Sequence, residues 1–331
     1  MKPTLVLLKT ILALSAGAVP ALSQVQTAGT LLVDLDPAGL PLGPVAWVTN
    51  SGSLGGVFQA TGFATVDQPV IVAVGGGAQG IMFDGHNFME HLKVPSGATL
   101  RLSTTPLAGN NAPCSIECWV INPTTWQDDG ETMVYWGVRG TSGLQMAFCY
   151  SANSDHGATD HWGWNLGWSP LPAMGIWHHL VYTFDGTAQR TYVDGVLNRS
   201  ASASYNPVSS QPITLACQRN SDGTLIGWGW VRGSLTLGKV RIHSGTLTAT
   251  QVSANYALEK GAFVMAPAPL AAIPAHRYTF NNAASSDAVG ATVADVGSVG
   301  GANAIVQGLA GSATFTGTRI RLAGEIGRAH V

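Results

Sequence analysis

The sequence predicts an all-β protein, a sandwich of antiparallel strands. Residues 177–195 read as two strands around a tight turn, because Trp177–Phe184 is rich in β-branched and aromatic residues and the dipeptides Asp185-Gly186 and Asp194-Gly195 end the two runs. Charged residues make up only 10% of the chain, and 41 of the 331 residues are Gly. A typical domain has about 25% charged residues. This composition is typical of a turn-rich β protein outside the cell.

The two faces of the 177–184 strand indicate where it lies in the sandwich. Alternate residues of a strand point to opposite faces. Here Leu180, Tyr182 and Phe184 share one face, and His179, Val181 and Thr183 share the other. Apolar residues on both faces predict an interior strand, covered on both sides.

A family resemblance rests on this segment and on four others. The sequence WHHLVYTFDG followed by YVDG resembles the laminin G-like jelly-roll modules of the concanavalin A-like lectin/glucanase superfamily. The other segments fit in order: LLVDL at 31–35, IMFDG at 81–85, SIECWV at 115–120 and VRIHSGTL at 240–247. The resemblance covers roughly residues 28–262 and implies an antiparallel jelly-roll β-sandwich. Function does not follow from it, because this superfamily mixes lectins, adhesion modules and hydrolases.

The remaining organisation is predicted segment by segment. Residues 1–23 carry Lys2, an apolar run and the small-x-small site Ala21-Leu22-Ser23, which together predict a bacterial-type signal peptide and secretion. Residues 24–263 form the sandwich, with one short helix at 248–260 where the helical period is sustained. Residues 264–275 read as a Pro/Ala linker. Residues 276–324 resemble the opening strands of a truncated second copy.

The last seven residues are predicted to be an artefact. One reverse translation of residues 325–331, EIGRAHV, reproduces common sequencing-adapter DNA. The natural gene is therefore expected to continue, and no function is assigned to this segment.

Charge and cysteine content bound the partners and the compartment. Removing Lys2 and Lys9 with the signal takes two positive charges away, from a formal net charge of −2 to −4. A nucleic-acid partner normally needs a basic face, so none is expected. No later segment predicts a membrane span. Four cysteines remain, and both buried thiols and disulfides stay open, except that strand geometry excludes a bridge between Cys114 and Cys118.

Catalytic patterns are weak in this chain. Jelly-roll hydrolases place two glutamates on one strand, about 5 Å apart in a retaining glycosidase. The chain has five glutamates, no two of them within five residues of each other, and Glu117 is the nearest candidate. His178 and His179 are adjacent on a strand and point to opposite faces, so they cannot bind one zinc ion together. The protein is therefore predicted to be non-catalytic.

The loop at 151–168, SANSDHGATDHWGWNLGW, is the predicted binding site. Exposed indoles suit the C–H faces of sugars, while polar groups fix orientation. Carboxylates beside amides on a Gly-rich loop suit calcium, a candidate cofactor. The alternative is that the tryptophans fill the core and the polar residues only form turns. The predicted ligand contacts are Trp162, Trp164, Trp168, Asn165 and His161, and the predicted metal ligands are Asp155, Asp160 and Asn153.

Together these observations predict a secreted, non-catalytic binding module of a larger protein. Its expected partner is a polysaccharide or glycoconjugate, recognised at loop 151–168 with or without calcium. Two alternatives stay open. The first is a structural or adhesion module that contacts an extracellular protein, and the second is an accessory domain of a glycoside hydrolase.

Overall fold

The computed structural model describes residues 24–74, 77–123, 131–226 and 231–264, and short stretches between 278 and 322. The chain divides into two compact units, residues 1–265 and 266–331. The predicted signal peptide, nearly all of the linker and the seven C-terminal residues lie outside the described residues. Within the described part, no helix has the length and hydrophobicity of a membrane span.

The described residues of the first unit form sixteen strands, one α-helix and two 3-10 turns, at Thr65–Asp67 and Leu102–Thr104. The strands are β1 (Leu31–Leu35), β2 (Gly43–Pro44), β3 (Trp47–Thr49), β4 (Val57–Gln59), β5 (Val70–Ala73), β6 (Gln79–Met82), β7 (Met89–Leu92), β8 (Cys114–Ile121), β9 (Thr132–Gly137), β10 (Gln145–Cys149), β11 (Thr159–Asp160), β12 (Trp177–Phe184), β13 (Ala188–Val193), β14 (Val196–Ser202), β15 (Thr214–Leu215) and β16 (Thr236–His243). The helix is α1 (Ala249–Phe263).

Two antiparallel sheets form the sandwich. Sheet A has nine strands in the order β14-β13-β12-β8-β16-β6-β5-β2, and β1 also pairs with β16. Sheet B has seven strands in the order β11-β10-β9-β15-β7-β4-β3. Strands distant in sequence lie side by side, as in a jelly roll. The predicted fold class, an antiparallel jelly-roll β-sandwich, is confirmed.

The interior strand predicted at 177–184 is β12, with the predicted bounds. It lies between β8 and β13, and Leu180, Tyr182 and Phe184 point into the core between the sheets. Its other face carries His179 and Val181, which are also fully buried. The turn after β13 uses positive φ at Asp194 (52°) and Gly195 (82°), the backbone that a tight hairpin requires.

Helix α1 covers the outer face of sheet A. It begins with a capping box, in which the Thr248 side chain accepts from the Gln251 amide and the Gln251 side chain accepts from the Thr248 amide. Val252 is buried against Val181 and Tyr192 of the sheet. This explains why β12 is apolar on both faces.

A clasp joins the two ends of the sandwich. The Asn255 side chain on α1 accepts from the Gln26 amide (2.7 Å) and donates to the Gln26 carbonyl (2.9 Å). Nearby, β1 pairs with β16 from Leu31↔His243 to Leu35↔Val240. The first and last parts of the sandwich therefore lie side by side.

The second unit has two short strand pairs among its described residues. They are β17 (Thr292–Val293) with β18 (Ala304–Ile305), and β19 (Ala313–Phe315) with β20 (Ile320–Leu322). A small apolar cluster supports them, formed by Ala288, Val293, Ala313 and Phe315. The prediction that residues 276–324 begin a second module of the same type stays a prediction.

All four cysteine side chains are buried, and the described residues contain no disulfide. Cys114 and Cys118 point into the core, whereas Cys149 lies on the other face of sheet B. Burial raises the pKa of Cys114 to about 12 and that of Cys217 to about 11. The thiolate is the reactive form of cysteine, so these thiols should react slowly in the folded protein.

A thiol reagent tests this expectation. At pH 8 we expect the reagent to label four thiols in the denatured chain and, within minutes, none in the native protein. Fewer than four labelled thiols in the denatured chain would reveal a disulfide bridge.

Candidate functional site

A pocket of about 330 Å³ opens beside loop 151–168. The loop connects β10 to β12 and includes the short edge strand β11. Three elements meet at the pocket: the turn after β9, the loop itself and the end of β11. The pocket is lined by Arg139, His156, Asp160, Trp162 and Asn165.

The three tryptophans of the loop occupy two different environments. Trp162 and Trp164 are each 41% exposed, whereas Trp168 is only 7% exposed. The Trp168 indole packs against Phe148 and Tyr150 and donates to the Gly157 carbonyl (3.0 Å). A ligand at the surface can therefore stack on Trp162 and Trp164, while Trp168 holds the loop in the core.

Polar side chains of the loop bind its own backbone. Asn153 Oδ1 accepts from the Asp155 and His156 amides (2.9 and 3.1 Å). Asn165 Oδ1 accepts from the His161 amide (3.1 Å), and its Nδ2 donates to Asp155 (2.9 Å). These bonds fix the loop conformation before any ligand arrives.

Strands β13 and β14 also brace the loop. Gln189 on β13 accepts from the Thr159 hydroxyl and donates to the Trp164 carbonyl, each at 2.8 Å. Arg199 on β14 donates to the Gly167 carbonyl (3.1 Å). Gly167 itself crosses Ser154 so closely that a Cβ would lie 2.1 Å from the Ser154 carbonyl oxygen, so only glycine fits there. Contacts from two neighbouring strands thus hold the loop against the sheet.

Trp162 is held in a left-handed backbone conformation, with φ 57°. This conformation costs a non-glycine residue about 1–2 kcal/mol. The Asp160 carboxylate accepts from the Trp162 amide (2.8 Å), and the Arg139 guanidinium lies 5.0 Å from the centre of its indole. Strain of this kind concentrates at functional sites. Arg139 was missed by the sequence prediction because it lies in another loop, some twenty residues upstream.

His161 supports the pocket from below. Its ring is fully buried and stacks on Tyr205 at 4.6 Å. Nδ1 faces the Gln145 carbonyl (3.0 Å), which can only accept, so Nδ1 carries the proton and Nε2 accepts from the Tyr182 hydroxyl (3.2 Å). His161 therefore contacts the interior, and a ligand at the surface does not reach its ring.

This burial makes the stability of the sandwich pH-dependent. Burial lowers the pKa of His161, so the folded protein binds fewer protons than the unfolded chain just below pH 6.5. The free energy of unfolding should therefore fall as the pH drops from 7 to 5, by up to about 1.4 kcal/mol per pH unit for this group. Urea unfolding at several pH values measures the slope. His161→Gln should flatten it, and an unchanged slope in that variant would contradict the assignment.

The predicted calcium ligands are largely engaged within the loop. Oxygens of Asn153 and Asp160 accept from backbone amides, and the Asp155 carboxylate, 73% exposed, accepts from Asn165. Calcium takes six to eight oxygen ligands. The described part of the chain holds no group of three His, Cys, Asp or Glu side chains placed to bind a metal. Calcium dependence stays a prediction.

Glu117 lies far from any surface, beneath α1. It is 2% exposed and accepts from His179 (3.1 Å) and His243 (2.8 Å). Asn255 donates to both of its oxygens. Burial acts to raise the pKa of Glu117, but the hydrogen bonds and the charges of the two histidines hold it well below its usual range. The carboxylate is a structural anion.

The two adjacent histidines point to opposite faces, as predicted. His178 contacts Asp194 (2.7 Å) and the Ala173 carbonyl (3.0 Å), whereas His179 contacts Glu117. Each imidazole is buried and hydrogen-bonded. The pair forms no common site.

Comparison with known families agrees with this architecture. Residues 95–253 match the laminin G-like family model of the concanavalin A-like lectin/glucanases superfamily. The matched segment begins after β7 and ends within α1, and it contains loop 151–168. The match confirms the predicted family resemblance over residues 95–253, which contain three of the five sequence segments. No curated protein sequence matches the chain.

Solved structures give a likeness of fold at low identity. Domain 4 of AbnA, an extracellular arabinanase from Geobacillus stearothermophilus solved with arabinotriose, is 17% identical, with a TM-score of 0.45 over 68% of this chain and 98% of that one. A Trypanosoma rangeli sialidase in complex with the inhibitor DANA is 14% identical, with a TM-score of 0.43 over 72% of this chain and 34% of the sialidase. The receptor-binding domain of botulinum neurotoxin type G is 13% identical, with a TM-score of 0.44 over 84% and 64%. The ligands named there belong to those proteins.

Proposed function

We propose that the sandwich is a secreted, non-catalytic carbohydrate-binding module whose ligand lies in the pocket lined by Trp162 and extends over the exposed Trp164. One observation carries the proposal. Two half-exposed indoles belong to a loop whose conformation is held by hydrogen bonds from its own side chains and from β13 and β14, and Trp162 has a strained backbone conformation. Indole faces stack on the C–H faces of sugar rings. Arg139 and Asp160 supply a donor and an acceptor for hydroxyl groups in the same pocket.

The surroundings of the glutamates support a non-catalytic role. All four glutamates that the structure describes are at most 8% exposed and bind neighbouring side chains; they are Glu90, Glu117, Glu131 and Glu259. A glycosidase needs two carboxyl groups facing one substrate. Laminin G-like modules are typically non-catalytic, which agrees with this arrangement.

The test is retention of the full chain on a panel of immobilised neutral and acidic polysaccharides, with the dissociation constant then measured on whichever binds. We expect Trp162→Ala and Trp164→Ala each to weaken binding about 5- to 30-fold, the effect expected when truncation of a contacting tryptophan costs about 1–2 kcal/mol. Unfolding curves recorded on the same samples show that each variant is folded.

Trp47 supplies a matched control. It is 48% exposed on β3, at the opposite edge of sheet B from loop 151–168. Trp47→Ala should leave binding unchanged. Loss of binding in this variant alone would place the site elsewhere, and no retention on any polysaccharide would favour the protein-adhesion alternative.

Two further parts of the proposal have their own tests. Running the panel with calcium and with a chelator tests the cofactor, and equal retention in both would remove calcium from the proposal. N-terminal sequencing of protein recovered from the culture medium tests export. A mature chain starting at Gln24 is the expected result, because the predicted signal ends at Ser23.

A further inference from the structure

The guanidinium of Arg139 lines the pocket and contacts an aromatic ring. Five arginines bind a carboxylate or a backbone carbonyl, namely Arg190, Arg199, Arg219, Arg232 and Arg241. Within the described residues, no carboxylate lies at ion-pairing distance from Arg139. Its contact is the Trp162 indole. The guanidinium therefore lines the pocket without an ion-pair partner in the described part of the chain.

The position of Arg139 is fixed from both ends. Its backbone amide donates to the Arg219 carbonyl (3.0 Å), which holds the turn after β9 against the segment that follows β15. Its guanidinium lies against Trp162, whose own amide is bound by Asp160. A planar fork held in this way is preorganised for a planar, two-oxygen acceptor.

Asp160 also lines the pocket but forms no ion pair with Arg139. It is 6% exposed, and one of its oxygens accepts from the Trp162 amide. The pocket thus has a cationic wall and an anionic wall. A sugar that carries a carboxylate can place its anion on Arg139 and its hydroxyl donors towards Asp160, whereas the opposite orientation is repelled.

We propose that this pocket selects carbohydrates that contain uronic acid, with Arg139 binding the sugar carboxylate through two parallel hydrogen bonds and Trp162 stacking on the ring. The inference rests on the proposed carbohydrate-binding function and names the class of its ligand. Arg139 is then the residue that determines specificity.

The test compares polygalacturonate with its methyl ester, because the two polymers share the sugar and differ in charge. We expect the full chain to bind the free acid 10- to 100-fold more tightly than the ester, the range for a charge-assisted hydrogen-bonded contact. In Arg139→Ala, both polymers should bind with nearly equal affinity. Arg139→Lys should restore only part of the preference, since an ammonium lacks the two-pronged geometry.

The acid-to-ester ratio separates specificity from a structural role. If Arg139 only supported Trp162, its loss would weaken the binding of both polymers equally. The ratio of the two affinities would then stay unchanged, and this result would overturn the inference. Arg101→Ala is the matched control, an exposed arginine outside the pocket lining, and should keep the wild-type ratio. Equal loss in Arg101→Ala, or equally tight binding of dextran sulfate, would indicate unspecific charge attraction and also overturn it.

The outcomes also distinguish this inference from the proposed function. Binding of neutral polysaccharides that depends on Trp162 and ignores Arg139 would uphold carbohydrate binding and refute the uronate preference. No binding to any polymer would refute both.

Discussion

Replacing Glu117 by Gln should lower the free energy of unfolding by about 3–5 kcal/mol, the cost of breaking a buried charge network at one partner. The carboxylate accepts from His179, His243 and Asn255, and these come from β12, β16 and α1. A Gln side chain would turn an N–H donor towards groups that already donate. Urea unfolding at pH 7 measures the loss. A change below 1 kcal/mol would show that the network contributes little.

Glu131→Gln is the matched control for this variant. Glu131 is as buried as Glu117, but burial raises its pKa to about 7, against opposing hydrogen bonds from Ser234 and Asn122. It is thus largely neutral at slightly acidic pH, where an amide replaces the protonated acid at little cost. We expect its free energy of unfolding at pH 6 to stay within about 1 kcal/mol of wild type.

The second large effect is expected at Trp168. Trp168→Ala should cost about 3–5 kcal/mol of unfolding free energy, because it removes a buried indole that packs on Phe148 and Tyr150, together with its hydrogen bond to the Gly157 carbonyl. Trp162→Ala, six residues away, should change the free energy of unfolding by less than about 1 kcal/mol, since the Trp162 indole is at the surface.

Glycine at position 162 sharpens this comparison. Trp162→Gly should be about 1 kcal/mol more stable than Trp162→Ala, because glycine adopts a positive φ without the cost that alanine incurs. Both variants should weaken the proposed carbohydrate binding. Equal stability of the two variants would mean that the left-handed backbone at Trp162 is not strained.

The strands were predictable where local signals and burial agree. The bounds of β1 and β12 match the predicted segments, and α1 begins one residue after the predicted start, since Thr248 caps the helix instead of joining it. The segment at 81–85 was less accurate, because β6 ends at Met82 and the chain then turns through Asp84, which accepts from the His86 amide. Alternation alone does not reveal where a strand gives way to a turn.

The site was predictable as a loop but not as a pocket. Composition singled out 151–168, yet it could not separate Trp168, which is buried, from Trp162 and Trp164, which are half-exposed. That difference depends on contacts with Phe148 and Tyr150 on the preceding strand and loop. Arg139 reaches the pocket because β9 and β10 are paired, from Gln145↔Gly137 to Cys149↔Thr132. A contact of that kind follows from strand register, which a single sequence does not display.

The clasp between Gln26 and Asn255 has a mechanical consequence. The start of β1 and the end of β16 lie together at Leu31↔His243. Tension applied through the two ends of the sandwich would therefore load this corner first and separate the strands one hydrogen bond at a time, instead of shearing them all at once. In a molecule held at both ends, the hydrogen bonds between Gln26 and Asn255 would therefore break first. Loop 151–168 is held by β13 and β14, which lie three and four strands away from β16 in sheet A. The applied force would therefore reach the proposed binding pocket last.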